Sequence, residues 1–358
     1  MCRVIPRSAR VAIATLSLAL AAAGGCGNEV APPPPGVQPD TFSIRVAGFP
    51  RMLVPDDNPT SHQGVALGRR LFYDPILSGD STLSCAGCHV QSFAFSDRGT
   101  RFSTGIDGIA GSRNAPALIN PGWSAKQFWD GRMPDLERQA LEPVPNPIEM
   151  HLEWAEGVRR LQRHTEYPEL FRAAFSTTEV TPLRVAQAIA QFERTMVSNH
   201  SRYDRSLRGE ITLTESERRG LILFSTNERF ECVHCHIPGL FTDRGFRNNG
   251  LDSVFTDPGL SAVTNNPNDR GKFKSPTLRN IALTAPYMHD GRFATLDEVI
   301  EHYNRGGVYS PTVDPLMHLG RGIRFSPQEK ADLLAFLHTL TDSAFVNDPT
   351  LASPFPTP

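Results

Sequence analysis

Apolar residues recur at the spacing of an amphipathic helix in several stretches of the chain, whereas strand-like alternation is weak throughout. Three of these stretches open with a capping box, in which Ser or Thr is followed three residues later by Glu. The boxes pair Thr214 with Glu217, Thr295 with Glu298, and Ser326 with Glu329. The pattern predicts a mainly α protein.

Two further helices are predicted from the same periodicity. In TPLRVAQAIAQFERTMVS, four apolar residues fall on one face: Val185, Ile189, Phe192 and Met196. The stretch HQGVALGRRLFYDP matches the helix that begins after Thr214, and each of this pair precedes a short cysteine motif. The chain therefore reads as two comparable helical units in tandem.

The N-terminus has the organisation of an export signal. Three arginines precede an apolar run over residues 11–23, which is shorter than the roughly 20 residues of a membrane-spanning helix. Residues 1–25 are interpreted as a secretory signal peptide, which places the protein in the periplasm. The segment AAGGC resembles a lipoprotein processing site, so Cys26 either carries a lipid anchor to the outer membrane or is left free or removed by ordinary cleavage.

The composition indicates a linker and argues against some partners and bonds. Residues 26–41 are rich in proline and are expected to form an extended linker. The formal net charge is −2 and no basic run occurs, which argues against a nucleic-acid partner. Of the six cysteines, Cys2 and Cys26 belong to the export region, and the other four form two C-x-x-C pairs. No cysteine is left for a structural disulfide.

Both pairs are followed directly by histidine, as Cys85-x-x-Cys88-His89 and as a second copy formed by Cys232, Cys235 and His236. This is the attachment pattern of c-type haem, in which two thiols bond the haem vinyl groups and the histidine binds the iron. A zinc site would need four ligands close together, and a redox C-x-x-C does not require the histidine. The sequence therefore predicts two covalent haem c groups.

We expect two cytochrome c-like domains, each with one haem. The predicted boundaries are residues 42–205 for the N-terminal domain and 206–344 for the C-terminal domain. Residues 345–358, which are rich in proline, are expected to form a disordered tail.

Residues 60–342 resemble the bacterial di-haem cytochrome c peroxidases and, within that family, the methylamine-utilisation (MauG-like) enzymes. The stretches that carry the resemblance are CAGCH, RNAPALIN, QFWDGR, QALEPVPNPIEM, CVHCH and SPTLRNIALTAPYMHDGRFATLDEVIEHYNRGG. The resemblance implies that the N-terminal haem binds hydrogen peroxide and that the C-terminal haem transfers electrons.

The resemblance also assigns roles to two residues. Glu149 matches the family's acid–base glutamate over the peroxide-binding haem, where a carboxylate in an apolar pocket moves the proton of peroxide. Trp129 matches the tryptophan that lies between the two haems and relays electrons. Without this context, a lone Glu is usually a solvated surface residue and a lone Trp a packed core residue.

Two departures from the ordinary peroxidases favour the MauG-like branch. Tyr303 stands where those peroxidases place an axial Met, and an anionic oxygen ligand stabilises ferric iron. Met288 is the competing ligand, and a core tyrosine is the alternative reading of Tyr303. The segment between His89 and Arg113 contains no histidine. Many of the peroxidases carry a histidine there that caps the resting N-terminal haem, so the resemblance implies that this haem is five-coordinate or water-ligated at rest.

The family also holds a calcium ion between its domains, and Asn114, Thr284 and Pro286 match its ligand positions.

The first reading of the function is a peroxidase that takes electrons from a small redox protein, a cytochrome c or a cupredoxin. The alternatives are a MauG-like oxidase that modifies residues of a partner protein and a di-haem electron carrier without catalysis.

Overall fold

The computed structural model describes residues 39–226, 231–317 and 319–356. The protein is mainly helical, as predicted. The α-helices, in chain order, are α1 His62–Tyr73, α2 Cys85–Cys88, α3 Leu136–Ala140, α4 Trp154–Arg163, α5 Tyr167–Phe175, α6 Pro182–Arg194, α7 Arg202–Leu207, α8 Glu215–Ser225, α9 Cys232–Cys235, α10 Ser261–Thr264, α11 Leu296–Arg305, α12 Pro327–His338 and α13 Ser343–Val346. Short 3-10 turns occupy Pro75–Leu77, Gln91–Phe93, Pro121–Trp123, Pro267–Asp269 and Ile281–Leu283. Strands β1 Phe246–Arg247 and β2 Phe273–Lys274 pair antiparallel, with Phe246 opposite Lys274.

The predicted capping boxes are confirmed at the starts of α8, α11 and α12. In each box the Ser or Thr hydroxyl accepts a hydrogen bond from the backbone N–H of the glutamate, whose carboxylate accepts one from the cap's own N–H. These bonds satisfy donors that a helix start otherwise leaves unpaired. The four apolar residues predicted to share one face, Val185, Ile189, Phe192 and Met196, are all buried. Helix α6 is nevertheless not amphipathic in its surroundings, because every residue from Val185 to Arg194 is buried, and it ends before Met196.

The buried apolar residues form two large clusters. The first is built mainly from α1, α5 and α6, and the second from α8, α11 and α12. A smaller cluster of Met52, Trp123 and Leu240 joins residues from both halves of the chain. The two cores lie in the parts of the sequence that carry the first and the second cysteine motif.

The two cores repeat one close helix contact. A Cβ added to Gly68 of α1 would lie 1.8 Å from the backbone oxygen of Ala188 in α6. A Cβ added to Gly220 of α8 would lie 1.9 Å from the backbone oxygen of Asp332 in α12. Only glycine permits backbones to approach this closely. Each crossing thereby sets the helix that precedes a cysteine motif against the long helix of its core.

The C-terminal segment corrects one prediction. Residues 345–356, expected to be disordered, pack against the N-terminal core, where Phe345 and Leu351 are buried. The rings of Phe345 and Phe95 have centroids 5.5 Å apart, and the Tyr73 hydroxyl donates to the Leu351 oxygen at 2.7 Å. The proline content misled the prediction, because two apolar anchors and hydrogen bonds from neighbouring side chains are enough to fix the segment.

The predicted signal peptide, Cys26 and most of the linker over 26–41 lie outside the described residues. Within the described part of the chain, no helix has the length and apolar character needed to cross a membrane.

Candidate haem sites and peroxide site

The two cysteine motifs adopt the same local structure. Each forms a single helical turn, closed by a 3.0 Å hydrogen bond from the histidine N–H to the oxygen of the first cysteine. The Nδ1 atom of His89 lies 3.0 Å from the Phe95 oxygen, and that of His236 lies 3.2 Å from the Phe241 oxygen. A backbone acceptor at Nδ1 leaves the Nε2 lone pair for a metal.

All six side chains of these motifs line one cavity of about 970 Å³. None of the four cysteines forms a disulfide. The two thiol pairs, the two histidines and the mainly apolar walls fit two covalent haem c groups. In the described ranges, no group of three or more His, Cys, Asp or Glu side chains is placed to hold a metal ion.

Burial raises the pKa of the Cys85 and Cys232 thiols to about 12. It raises the pKa of Cys88 and Cys235 to about 11. A redox-active C-x-x-C pair needs a thiolate with a lowered pKa, so the environment of these cysteines does not favour thioredoxin-type chemistry.

Glu149 lines the cavity together with Cys85, Cys88 and His89. Its backbone is held on both sides, because its N–H donates to the Asn146 oxygen and its own oxygen accepts from the Ile106 N–H, both at 3.0 Å. Gly105 permits this contact, since a Cβ there would lie 2.4 Å from the Ile148 oxygen. The segment NPIEM is thus in close backbone contact with the loop before Arg113.

The surroundings of Glu149 shift the pKa of its carboxyl group in opposite directions. Burial raises the pKa of Glu149, whereas the hydrogen bond from Asn146 and the positive charge of Arg132 lower it. The Asn146 amide nitrogen lies 2.7 Å from Glu149 Oε1. Arg132 is itself held by Asp130 and by the ring of Phe128. The carboxyl is therefore able to exchange a proton closer to neutral pH than an exposed glutamate.

Trp129 also lines the cavity and touches both halves of the chain. Its indole nitrogen donates to the Asn114 oxygen, and its own backbone oxygen accepts from the Lys274 N–H, both at 2.8 Å. Its position between two haems and its relay role both stay predictions.

Tyr303 and Met288 both line the cavity with His236. Tyr303 lies on α11, whose other apolar residues Leu296 and Ile300 are buried in the second core. Burial raises the pKa of the Tyr303 phenol to about 12, and a hydrogen bond from Asn249 opposes this rise. The geometry places both predicted competitors at the cavity wall, so the choice between them rests on their contacts.

The positions of the histidines at the cavity wall are relevant to the prediction that the N-terminal haem has an open coordination position. Among the described residues, His289 is the one cavity-lining histidine besides His89 and His236. Its ring stacks on Phe273, with 3.6 Å between ring centroids. His151, the next histidine after His89, instead lies against Asp107 at 2.5 Å.

The predicted calcium ligands Asn114, Thr284 and Pro286 line the same cavity. The Asn114 amide nitrogen donates to the oxygens of Thr100 and Arg101, each at 3.1 Å. Calcium binding stays a prediction.

Sequence reasoning missed several cavity residues. Asn146 could have been found from its i, i+3 spacing to Glu149, and Glu193 from its place as a lone acid inside the apolar pattern of α6. Asn249 carries no signal in the sequence, because it is 39 residues away along the chain from Met288, whose sulfur its side chain contacts. Glu193 is 4% exposed, and burial raises its pKa to about 8.

Comparison with known proteins identifies the family of the chain. Residues 62–212 match the family model described as di-haem cytochrome c peroxidase. MauG of Methylorubrum extorquens, a methylamine utilization protein, is 37% identical over 295 residues, covering 80% of each chain. Cytochrome c551 peroxidase of Nitrosomonas europaea is 35% identical over 303 residues, covering 83% of this chain and 86% of the relative.

The chain belongs to the di-haem cytochrome c peroxidase family. A solved MauG-like protein associated with microbial copper homeostasis is 40% identical, with a TM-score of 0.81, covering 87% of this chain and 98% of that one. The family implies haem c cofactors, and the peroxidases among the relatives support an oxidoreductase.

Proposed function

We propose that the protein is a periplasmic di-haem peroxidase that reduces hydrogen peroxide at its N-terminal haem, with electrons from a small redox protein. The observation that carries the proposal is the Glu149 carboxyl, which lines the cavity beside Cys85, Cys88 and His89. A carboxyl whose pKa is raised by burial suits proton transfer near neutral pH.

The two haems, when bound, supply the iron that binds peroxide and exchange the electrons of the reaction. Glu149 would accept a proton from one oxygen of hydrogen peroxide and return it to the other oxygen, which would leave as water. Each turnover consumes one peroxide, two electrons and two protons, and it yields two molecules of water. The protein therefore has to supply one group that accepts and donates a proton at a fixed position.

Neighbouring residues hold that position. Asn146 orients the carboxylate through its 2.7 Å hydrogen bond, and the positive charge of Arg132 stabilises the ionised form. Apolar residues such as Ile148, Val144 and Leu83 line the cavity nearby and limit the access of water. Electrons from the C-terminal half cross to this site through Trp129.

A second candidate is a MauG-like oxidase, which takes its electrons from residues of a partner protein. Tyr303 at the cavity wall beside His236 favours this candidate, as does the lack of histidine between His89 and Arg113. Both candidates use the same peroxide site and differ in the reductant. A plain electron carrier would not need Glu149 at the cavity wall.

The test is stopped-flow absorption of the fully ferric protein mixed with hydrogen peroxide. We expect a rapid change in the Soret band without prior reduction, slowed on the order of 100-fold or more in E149Q. The matched control is E153Q, since Glu153 lies close behind Glu149 in the chain, is exposed and is not among the charges that shift the pKa of Glu149. An E149Q rate equal to wild type would remove Glu149 from the mechanism, and no spectral change even after reduction would favour the electron carrier.

The reductant is decided separately. Steady-state turnover with reduced cytochrome c or cupredoxin supports the peroxidase. Peroxide-dependent oxidation of a partner protein, with poor turnover of both small donors, supports the MauG-like oxidase.

A further inference from the structure

Four buried residues of the N-terminal half each leave one side-chain polar atom without a hydrogen-bond partner. Among the described residues, these atoms include Thr60 Oγ1, Glu137 Oε2, Glu193 Oε2 and Arg194 Nε. Buried polar atoms that find no partner in the protein are usually bonded to ordered water. We call these four residues the buried polar cluster.

Hydrogen bonds hold the members of the buried polar cluster close together. The Arg194 guanidinium donates to Glu137 Oε1, which also accepts from the Asn58 amide at 2.6 Å. Arg194 reaches the Asn58 backbone oxygen as well, at 3.4 Å. Glu193 directly precedes Arg194 on α6, and Thr60 follows Asn58 by two residues. The unpartnered donor of Arg194 and the unpartnered carboxylate oxygens are therefore placed for water to join them.

Glu193 connects this cluster to the haem cavity. It lines the cavity together with Cys85, His89 and Glu149, and Ile189, one turn earlier on α6, lines it too. Arg194 is already paired with Glu137, so a single positive charge serves two buried carboxyl groups. Burial and the negative charge of Glu137 raise the pKa of Glu193 to about 8, although Arg194 opposes this rise. Glu193 thus carries a proton at neutral pH and presents it at the cavity wall.

The other end of the cluster lies next to solvent. Asn58, which bonds Glu137, is flanked by the exposed residues Asp57 and Pro59. The Asn58 side chain also accepts from Gln191 of α6 at 2.8 Å, so this loop is fixed against the helix that carries Glu193. A continuous set of polar side chains therefore leads from the surface to the cavity.

We propose that the buried polar cluster binds ordered water and conducts protons from solvent to the N-terminal haem cavity, with Glu193 as the proton donor at the cavity wall. This inference rests on the proposed function, in which each turnover consumes two protons. Glu149 moves a proton from one peroxide oxygen to the other, so it supplies neither of these two.

The balance of the second half of the reaction sets the task of Glu193. The peroxide oxygen that remains becomes water by taking two electrons from the donor protein and two protons. Each proton leaves the Glu193 O–H, and the carboxylate then takes another from water of the cluster, which solvent replaces. The uncompensated charge of ionised Glu193 beside Glu137 favours this return of the proton.

The kinetic test uses the full-length holoprotein. We expect E193Q to lower the steady-state turnover of peroxide about 10-fold or more, because an amide releases no proton. E193D keeps a carboxyl group and should restore part of the rate. E169Q is the matched control, since Glu169 is exposed on α5. The initial reaction with peroxide takes up no proton from solvent, so E193Q should act after it, whereas E149Q slows that reaction itself.

Difference infrared spectroscopy gives a readout that does not depend on turnover. The spectrum of wild type minus E193Q at neutral pH should contain the carbonyl band of a protonated carboxylic acid, and this band should shift in D₂O because water reaches the group. An absent band, or turnover of E193Q at the wild-type rate, would overturn the role of Glu193. So would an initial peroxide reaction slowed as much in E193Q as in E149Q. If wild type itself does not react with peroxide, the proposed function fails and this inference fails with it.

Discussion

The indole nitrogen of Trp129 donates a 2.8 Å hydrogen bond to the backbone oxygen of Asn114. The N–H of Asn114 in turn donates to the His289 oxygen at 2.8 Å, and Lys274 bonds the Trp129 oxygen at the same distance. Backbone of the first half of the chain is therefore bonded to two segments of the second half around one tryptophan. The oxidisable indole ring of Trp129 therefore lies where the two halves of the chain meet.

We expect W129F to slow the reduction of the peroxide-oxidised N-terminal haem by about 10-fold or more, which corresponds to ~1.4 kcal/mol of barrier. The initial reaction with peroxide should keep its rate, because Glu149 is untouched. Rapid mixing of peroxide-treated protein with a reduced donor measures the effect. W154F is the matched control, since Trp154 bonds the Leu141 oxygen and lies away from the cavity wall. Equal rates in W129F and wild type would exclude the relay role.

The reaction with peroxide should depend on pH through Glu149. Burial raises the pKa of Glu149, and the hydrogen bond from Asn146 lowers it. Because N146A removes that hydrogen bond, the pKa of Glu149 should rise in this variant. Because the ionised carboxylate accepts the proton, the rising limb of the rate–pH profile should move to higher pH. Stopped-flow rates across pH measure the shift. The double variant N146A/E149Q should lose that limb, and a shift to lower pH in N146A would contradict the prediction.

Glu193 should make stability fall as pH rises. Burial raises the pKa of Glu193 to about 8, so the folded state binds more protons than the unfolded state between the ordinary glutamate range and pH 8. The free energy of unfolding therefore decreases with pH across that window. E193Q should remove this slope and add on the order of 1–3 kcal/mol above pH 8. Denaturant unfolding at several pH values measures both effects.

E137Q should change the free energy of unfolding in the opposite direction from E193Q. Glu137 forms a buried ion pair with Arg194, and its removal leaves that charge without its carboxylate. We expect E137Q to cost about 3–5 kcal/mol. If E193Q instead destabilises the protein above pH 8, the carboxyl of Glu193 is ionised and paired in the folded state.

The C-terminal segment should contribute to the stability of the N-terminal half. Phe345 is 3% exposed and packs on Phe95, whose backbone oxygen lies 3.0 Å from the Nδ1 atom of His89. F345A should lower the free energy of unfolding by about 3–5 kcal/mol. Because Phe355 is only partly buried, F355A should cost much less. Equal losses in the two variants would show that Phe345 adds little as an anchor.

Much of the fold was readable from local patterns. The capping boxes at Thr214, Thr295 and Ser326 appeared where predicted, because each depends on residues within one turn of each other. The C-terminal segment was misread, because its order depends on contacts with Tyr73 and Phe95, more than 200 residues away along the chain.

The sequence by itself determined the two haem-attachment motifs and the family, because covalent attachment fixes the spacing of two cysteines and a histidine within five residues. Only the tertiary structure brought both motifs, Glu149 and Trp129 to one cavity and set the Asn249 amide against the Met288 sulfur. The burial that raises the pKa of Glu149 was also decided there. The physical reason is that desolvation and hydrogen bonding depend on neighbours in space, which chain order does not specify.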